Sequence, residues 1–486
     1  MGTDDGAGAA IATRVHPRCS DTLLYMRPAR WRRSTHLVIG LVVLVLVAAV
    51  VGVAALMTSG DTAARNTEAI RPQPAPASAA PGVQALGNDT DEPSAAGLAA
   101  ALAGPLADPN LGMLTGRVTD AGTGAELWAQ GATVPMLPAS TNKVLTTVAA
   151  LATLDRAATL TTTVLAGPTP GLVVLRGGGD PTLSAAPPGK PTWYKGAARI
   201  SDLADQVKRS GVTVSAVQVD LSAYTGPTMA PGWDPADIDG GDIAPMESVM
   251  LDGGRIQPVS VESRRSVTPG LDAGRALATA LGVDPATVTV TSAPIPDARQ
   301  IASVSSPPLL ERLRQMMNES DNVMAESTGR EVAAALGRPQ SFDGAVQAVL
   351  TQLRKVGVDT AGAVLVDSSG LSLDDRLTAN TLDGAVAAAV SGEHPELRPL
   401  VDVLPIAGGS GTLSNRYLDT DAGKAAAGWL RAKTGSLTAV NTLAGIVTDV
   451  SGRVLTFALM SNNAGPTGRT SLDALAAVLR SCGCGG

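Results

Sequence analysis

Three short stretches of this chain carry side chains whose types and spacing suit nucleophilic acyl chemistry: Ser140-Thr141-Asn142-Lys143, Ser320-Asp321-Asn322 and Lys433-Thr434-Gly435. A serine hydroxyl is a weak nucleophile until an adjacent base takes its proton. In Ser-x-x-Lys at the start of a helix, the three-residue spacing puts Ser140 and Lys143 on one face, one turn apart, so nucleophile and base meet without help from distant chain. Starting the helix at the serine also turns local N–H groups and the positive end of the dipole toward an incoming carbonyl. The apolar body of that helix desolvates Lys143 and lowers its pKa, as a lysine base requires. Alone, Ser-x-x-Lys matches many helices by chance. The chain has only seven lysines, however, and two of them fall inside these motifs.

Ser320-Asp321-Asn322 lies between two helical patterns, where an N-cap at Ser320 or Asp321 is the plain structural explanation. In the functional reading Ser320 relays a proton to a leaving amine and Asn322 binds a substrate amide. Lys433-Thr434-Gly435 falls on an expected strand, where an internal glycine marks a bulge or a close backbone approach. Function accounts for both features. A substrate strand lies along this edge, Lys433 and Thr434 meet its terminal carboxylate, and the Ser436 N–H joins that of Ser140 as an oxyanion hole.

Composition removes the competing chemistries. Three histidines are present, and His16 and His36 precede or open an apolar segment, leaving His394 as the one candidate base for a Ser-His-Asp arrangement. It stands in the polar run Glu393-His394-Pro395-Glu396, which reads as a surface loop. One histidine with Cys482 and Cys484 cannot supply the spaced ligand set of a zinc site, and neither a metal nor a cofactor is expected. The net charge of -7 carries no concentrated basic face of the kind a nucleic-acid partner needs.

The elements that must position these residues follow a simple order. The 21 uncharged residues from Leu37 to Met57 span about 31 Å as a helix, the thickness of a bilayer core. Arg27, Arg30, Arg32 and Arg33 precede them, so residues 1–36 are expected in the cytoplasm and the remainder outside, on a single-pass anchor at the cell membrane. The alternative is secretion after signal cleavage, whose apolar core is ordinarily shorter. Residues 58–96 form a Pro- and Ala-rich linker. A catalytic domain is expected over 97–165 plus 296–486, with an inserted β-rich region at 166–295. Leu111 to Val118 and Glu126 to Gln130 read as a hairpin, and Leu309 to Met317 and Val323 to Leu336 as helices. Leu430 to Leu437, Thr442 to Thr448 and Val454 to Met460 read as three antiparallel strands ahead of a C-terminal helix. Every residue of these three motifs lies outside the insertion, so its removal is expected to harm stability and peptide preference more than chemistry. In an oxidising compartment Cys482 and Cys484 either close a small disulfide loop or remain an unpaired tail.

The trio in this order is the signature of penicillin-binding proteins and class A β-lactamases. The 180 residues between Ser140 and Ser320, and the lack of a Glu-x-x-Leu-Asn segment for a deacylating water, separate the chain from the latter. It resembles the class C low-molecular-mass penicillin-binding proteins, D-alanyl-D-alanine carboxypeptidases that also act as endopeptidases. Beyond the trio, the likeness rests on Gly177-Gly178-Gly179-Asp180-Pro181-Thr182-Leu183, Pro231-Gly232-Trp233, Asp367-Ser368-Ser369-Gly370-Leu371-Ser372 and Ala407-Gly408-Gly409-Ser410-Gly411-Thr412-Leu413. The resemblance implies an α/β transpeptidase/β-lactamase-like domain, an antiparallel sheet flanked by helices, interrupted between the first two motifs. It implies peptidoglycan peptides ending in D-Ala-D-Ala as substrates and β-lactams as covalent inhibitors. One departure concerns the peptide side chain: where the family often carries a basic residue after Gly-Leu-Ser, Leu373 stands here and Arg376 follows three residues later.

Overall fold

The computed structural model describes residues 93–482, residues 262 and 297 excepted. The expected cytoplasmic segment, the membrane anchor, nearly all of the linker, and Cys484 lie outside the described residues. Among the described residues no helix is long and apolar enough to cross a membrane. Helices of ten residues or more are numbered below.

Helix α1 (Ala95–Leu106) leads into strands β1 (Met113–Asp120) and β2 (Glu126–Gln130), then helix α2 (Asn142–Thr153). Strands β3 (Thr161–Ala166), β4 (Leu172–Arg176), β5 (Ala216–Asp220), β6 (Thr289–Thr291) and β7 (Gln300–Ser305) follow, with α3 (Ile200–Arg209) and α4 (Pro269–Leu281) among them. The chain then runs through α5 (Leu309–Glu319), α6 (Asn322–Ala335), α7 (Phe342–Lys355) and α8 (Ala379–Val390). It closes with β8 (Leu430–Leu437), β9 (Val440–Thr448), β10 (Val454–Asn462) and α9 (Gly468–Ser481).

The first sheet has the order β2-β1-β10-β9-β8 and is antiparallel throughout. Both of its faces are covered. In β10, Leu455, Phe457 and Leu459 pack with α1 and α9, while Ala458 and Met460 face the core built on α2, α5, α6, α7 and α8. Period-two alternation with apolar residues on both sides is what a central strand between two helical layers requires. This is the α/β layer architecture expected from the sequence, and it leaves β8, the strand of Lys433, at the sheet edge.

The second sheet, ordered β6-β5-β4-β3-β7, is mixed, with parallel β4–β5 and β5–β6 pairs and antiparallel pairs on both sides of β3. The insertion is therefore less β-rich than its composition suggests. Its strands are short, and α3 and α4 bury Ile200, Leu203, Ala204, Val207, Ala273 and Leu277 against them. Residues 200, 203, 204 and 207 repeat at helical spacing, a signal that the surrounding Pro and Gly clusters mask. The sheet also recruits β3 and β7, which flank the 166–295 window.

Candidate active site

Ser140 sits in a 3-10 turn (Ala139–Thr141) that leads directly into α2. The residue before it, Ala139, has φ 46°, a left-handed conformation that costs a non-glycine residue about 1–3 kcal/mol and persists only where the surroundings impose it. The surroundings are tight. A Cβ on Gly370 would come within 1.9 Å of the Ala139 carbonyl oxygen, and one on Gly435 within 2.1 Å of Thr442 Oγ1 and 2.8 Å of the Pro138 carbonyl. The glycine of Lys433-Thr434-Gly435 thus lets the nucleophile turn press against β8, the close approach expected of it.

Lys143 is fully buried. Its Nζ lies 2.8 Å from Ser140 Oγ, 2.6 Å from Asn322 Oδ1 and 2.8 Å from the Ser369 carbonyl oxygen. The last two atoms can only accept. A neutral amine has two N–H donors and one lone pair, so two donors satisfy Asn322 and Ser369 and the lone pair faces the Ser140 hydroxyl. Burial lowers the Lys143 pKa to about 8, against the raising influence of Asp367, Asp321, Glu326 and Asp375.

Ser320 ends α5 in a left-handed conformation with φ 57°. Asp321 caps α6, its carboxylate accepting from Met324 N–H at 2.9 Å. The capping explanation and the functional one therefore hold together: the cap fixes the turn that presents Ser320 and Asn322. Burial pushes the Asp321 carboxyl up, but Arg265 and Arg255, the Met324 N–H and the Tyr194 hydroxyl hold it below the usual carboxylate range. Lys433 Nζ donates to Ser320 Oγ at 2.9 Å and to the Thr434 carbonyl at 2.8 Å. Lys433 is fully buried, and burial, Lys143 and Arg416 hold its ammonium well below the ordinary lysine value. Lys433 is not among the residues that line the groove, and its Nζ lies against Ser320 Oγ, which does line it.

A groove of about 780 Å³ opens over these groups and is lined by Ser140, Ser320, Asn322, Thr434 and Ser436 among others. Five of the seven candidate groups line it, with Lys143 and Lys433 buried behind them against Ser140 and Ser320. His394 lies elsewhere, its Nδ1 3.2 Å from Glu396 Oε1. Among the described residues no group of His, Cys, Asp and Glu side chains could hold a metal ion. Leu373 is on the groove wall, 57% exposed, and Arg376 does not replace a cation there, because its guanidinium donates back to the carbonyls of Leu373 and Asp375.

The insertion takes part in the site. The Asp242 carbonyl accepts from Asn322 Nδ2 at 3.0 Å, the Tyr194 hydroxyl donates to Asp321 Oδ2 at 2.8 Å, and Trp233 Nε1 donates to Asp367 Oδ2 at 2.8 Å. Asp367 in turn accepts from the backbone N–H groups of Ser369, Gly370 and Ser372, shaping the loop whose Ser369 carbonyl holds Lys143. Backbone carbonyls leave no trace in sequence, which is why these contributions go unread there. Asp367 and Trp233 do belong to motifs, but a Gly-rich run reads as a turn and a tryptophan as core.

Comparison with known proteins agrees with this geometry. The model of the D-Ala-D-Ala carboxypeptidase 3 (S13) family matches residues 98–264 and 258–481. A second model, the carboxypeptidase Rv3627c-like N-terminal domain, matches residues 26–85. The chain is 72% identical over 461 residues to Carboxypeptidase DacB of Mycolicibacterium smegmatis, covering 95% of this chain and 100% of that protein. It is 30% identical over 449 residues to the D-alanyl-D-alanine carboxypeptidase of an Actinomadura species, covering 76% and 82%. The fold is similar to that of penicillin binding protein 4 from Haemophilus influenzae, with a TM-score of 0.63 at 22% identity over 79% of this chain and 97% of that one. With both sides of the insertion matched and the Ser140–Lys143 pair at hydrogen-bond distance, this chain belongs to the D-Ala-D-Ala carboxypeptidase 3 (S13) family.

Proposed function

We infer that this chain is a serine-type D-alanyl-D-alanine carboxypeptidase that trims peptidoglycan stem peptides through an acyl-enzyme, with DD-endopeptidase turnover at the same groove, and that penicillins acylate it. The observation that carries this reading is the 2.8 Å separation of Ser140 Oγ from a buried Lys143 whose other two partners only accept. Lys143 takes the Ser140 proton as Oγ bonds to the penultimate D-Ala carbonyl carbon. The resulting oxyanion lies between the N–H groups of Ser140 and Ser436. Ser320, backed by Lys433, passes a proton to the leaving amine as the C–N bond breaks. Water then hydrolyses the ester and restores Ser140. No step needs a metal or cofactor. The apolar run at 37–57 supports a single-pass anchor that holds the groove on the outer side of the cell membrane.

The purified ectodomain is expected to release D-alanine from a D-Ala-D-Ala peptide and to gain the mass of one penicillin. A protein that does neither is a wall-binding module, and one that sheds the penicillin adduct within seconds is a β-lactamase.

The pH profile checks the base separately. Lys143 must be neutral to accept a proton, and the neutral fraction grows as pH rises through its pKa, about 8. The acylation rate constant is therefore expected to climb with a midpoint near that value. A profile flat from pH 6 to 9 rules out a lysine base with that pKa.

A further inference from the structure

We propose that the guanidinium of Arg416 receives the carboxylate of the substrate's C-terminal residue, the duty that motif order alone assigns to Lys433. This rests on the carboxypeptidase reading above. A carboxylate leaving water needs a charged donor that it can reach. Lys433 is enclosed, spends both of its hydrogen bonds on Ser320 and Thr434, and is held well below the usual lysine range by burial and by Lys143 and Arg416. Arginine stays charged in any such setting.

The position of Arg416 fits the task. It follows the 3-10 turn Gly411–Leu413, and Thr412 Oγ1 of that turn lies 2.8 Å from Thr434 Oγ1, tying this loop to β8 beside Lys433. Arg416 lines the groove together with Thr412, Thr434 and Ser436. Its Nε and Nη2 donate to the two carboxylate oxygens of Asp473 on α9 at 2.8 and 2.5 Å, which fixes the plane of the fork. Among the described residues Nη1 has no hydrogen-bond acceptor, so one edge of a pre-aligned guanidinium remains for a ligand.

A second cation strengthens the field. Arg469 is exposed on the same groove, in the first turn of α9, where a positive charge opposes the helix dipole, and it forms no ion pair among the described residues. Asp234, Asp237 and Asp242 of the insertion line the groove as well, the last with its carbonyl on Asn322, and Glu319 lines it next to Ser320. Arg416 and Arg469 are the cations that line the groove, so an anionic chain end is drawn toward them and Thr434.

The test compares a D-Ala-D-Ala peptide with the same peptide as its C-terminal amide. Wild type is expected to prefer the acid. Arg416→Gln is expected to lower kcat/KM for the acid by at least about tenfold, the loss for one charge-assisted hydrogen bond, mainly through KM, and to change the amide by less than about twofold. Arg416→Lys should recover part of the preference. Equal losses on both peptides, or an unchanged preference in Arg416→Gln, overturn the assignment. Should Arg416→Gln fail to fold, Arg416→Lys carries the test: it keeps the charge and loses the fork, so preference for the acid is expected to fall severalfold through KM, and an unchanged preference overturns the assignment. Wild type that cleaves neither peptide and takes up no penicillin defeats the carboxypeptidase reading instead, so the two failures are distinguishable.

Discussion

Ser140→Ala is expected to remain folded and to lose covalent labelling by a fluorescent penicillin by at least about 10⁴-fold, since removal of a serine nucleophile costs orders of magnitude even where binding and the oxyanion hole survive. The assignment has a specific rival. Two hydroxyl–lysine pairs face the groove, Ser140 with Lys143 at 2.8 Å and Ser320 with Lys433 at 2.9 Å, and either could in principle form an ester. Helix dipoles do not separate them: Ser140 stands one residue before the Thr141 cap of α2, and Ser320, which ends α5, stands one residue before the Asp321 cap of α6. The lysines do, because Lys143 satisfies two further acceptors as a neutral amine and keeps its lone pair for the Ser140 proton. Ser140 is also the one serine with a lysine three residues on. The lost hydroxyl removes one hydrogen bond, worth about 1 kcal/mol, so melting temperature should fall by a few degrees at most. Labelling that persists in Ser140→Ala, with the adduct mapped to Ser320, reverses the roles of the two motifs.

Lys143→Arg is expected to lower the penicillin acylation rate constant by at least about 10³, near the upper range for loss of a general base. Arginine fills the same enclosure with a charge that cannot be given up, so it satisfies Asn322 Oδ1 and the Ser369 carbonyl yet has no lone pair for the Ser140 proton. Lys143→Met, of similar length and without a base, should fall as far and guards against a purely steric explanation. Lys433→Arg offers the contrast. Its native Nζ donates to Ser320 Oγ and the Thr434 carbonyl, and a guanidinium donates as well, so measurable acylation is expected to remain with weakened binding. Stopped-flow acylation of the three variants, after circular dichroism has established that each is folded, decides the matter. Near-normal acylation in Lys143→Arg removes Lys143 from the base role and leaves Ser320 or a water chain as the candidate.

Local features were legible in the chain itself because each is set by neighbours in sequence. The Ser140–Lys143 pair follows from one turn of helix, and the cap at Asp321 from an acidic residue before an apolar run. The edge strand Leu430–Leu437 follows from its apolar residues, and the approach at Gly435 from a glycine inside that strand. Order and identity of the motifs then sufficed for the family and its antiparallel sheet between helices.

What joins the motifs was decided only in three dimensions. Lys143 meets Asn322 across 179 residues and Lys433 meets Ser320 across 113, and no local periodicity encodes either separation. The Ser369 and Asp242 carbonyls complete the site although every residue carries a carbonyl and none advertises its use. Packing, not residue type, turned Lys433 inward and left Arg416 facing the groove. Lys433 is enclosed against Ser320 and loses its water, while the Arg416 guanidinium, on a loop and anchored by Asp473, has Nη1 without an acceptor among the described residues.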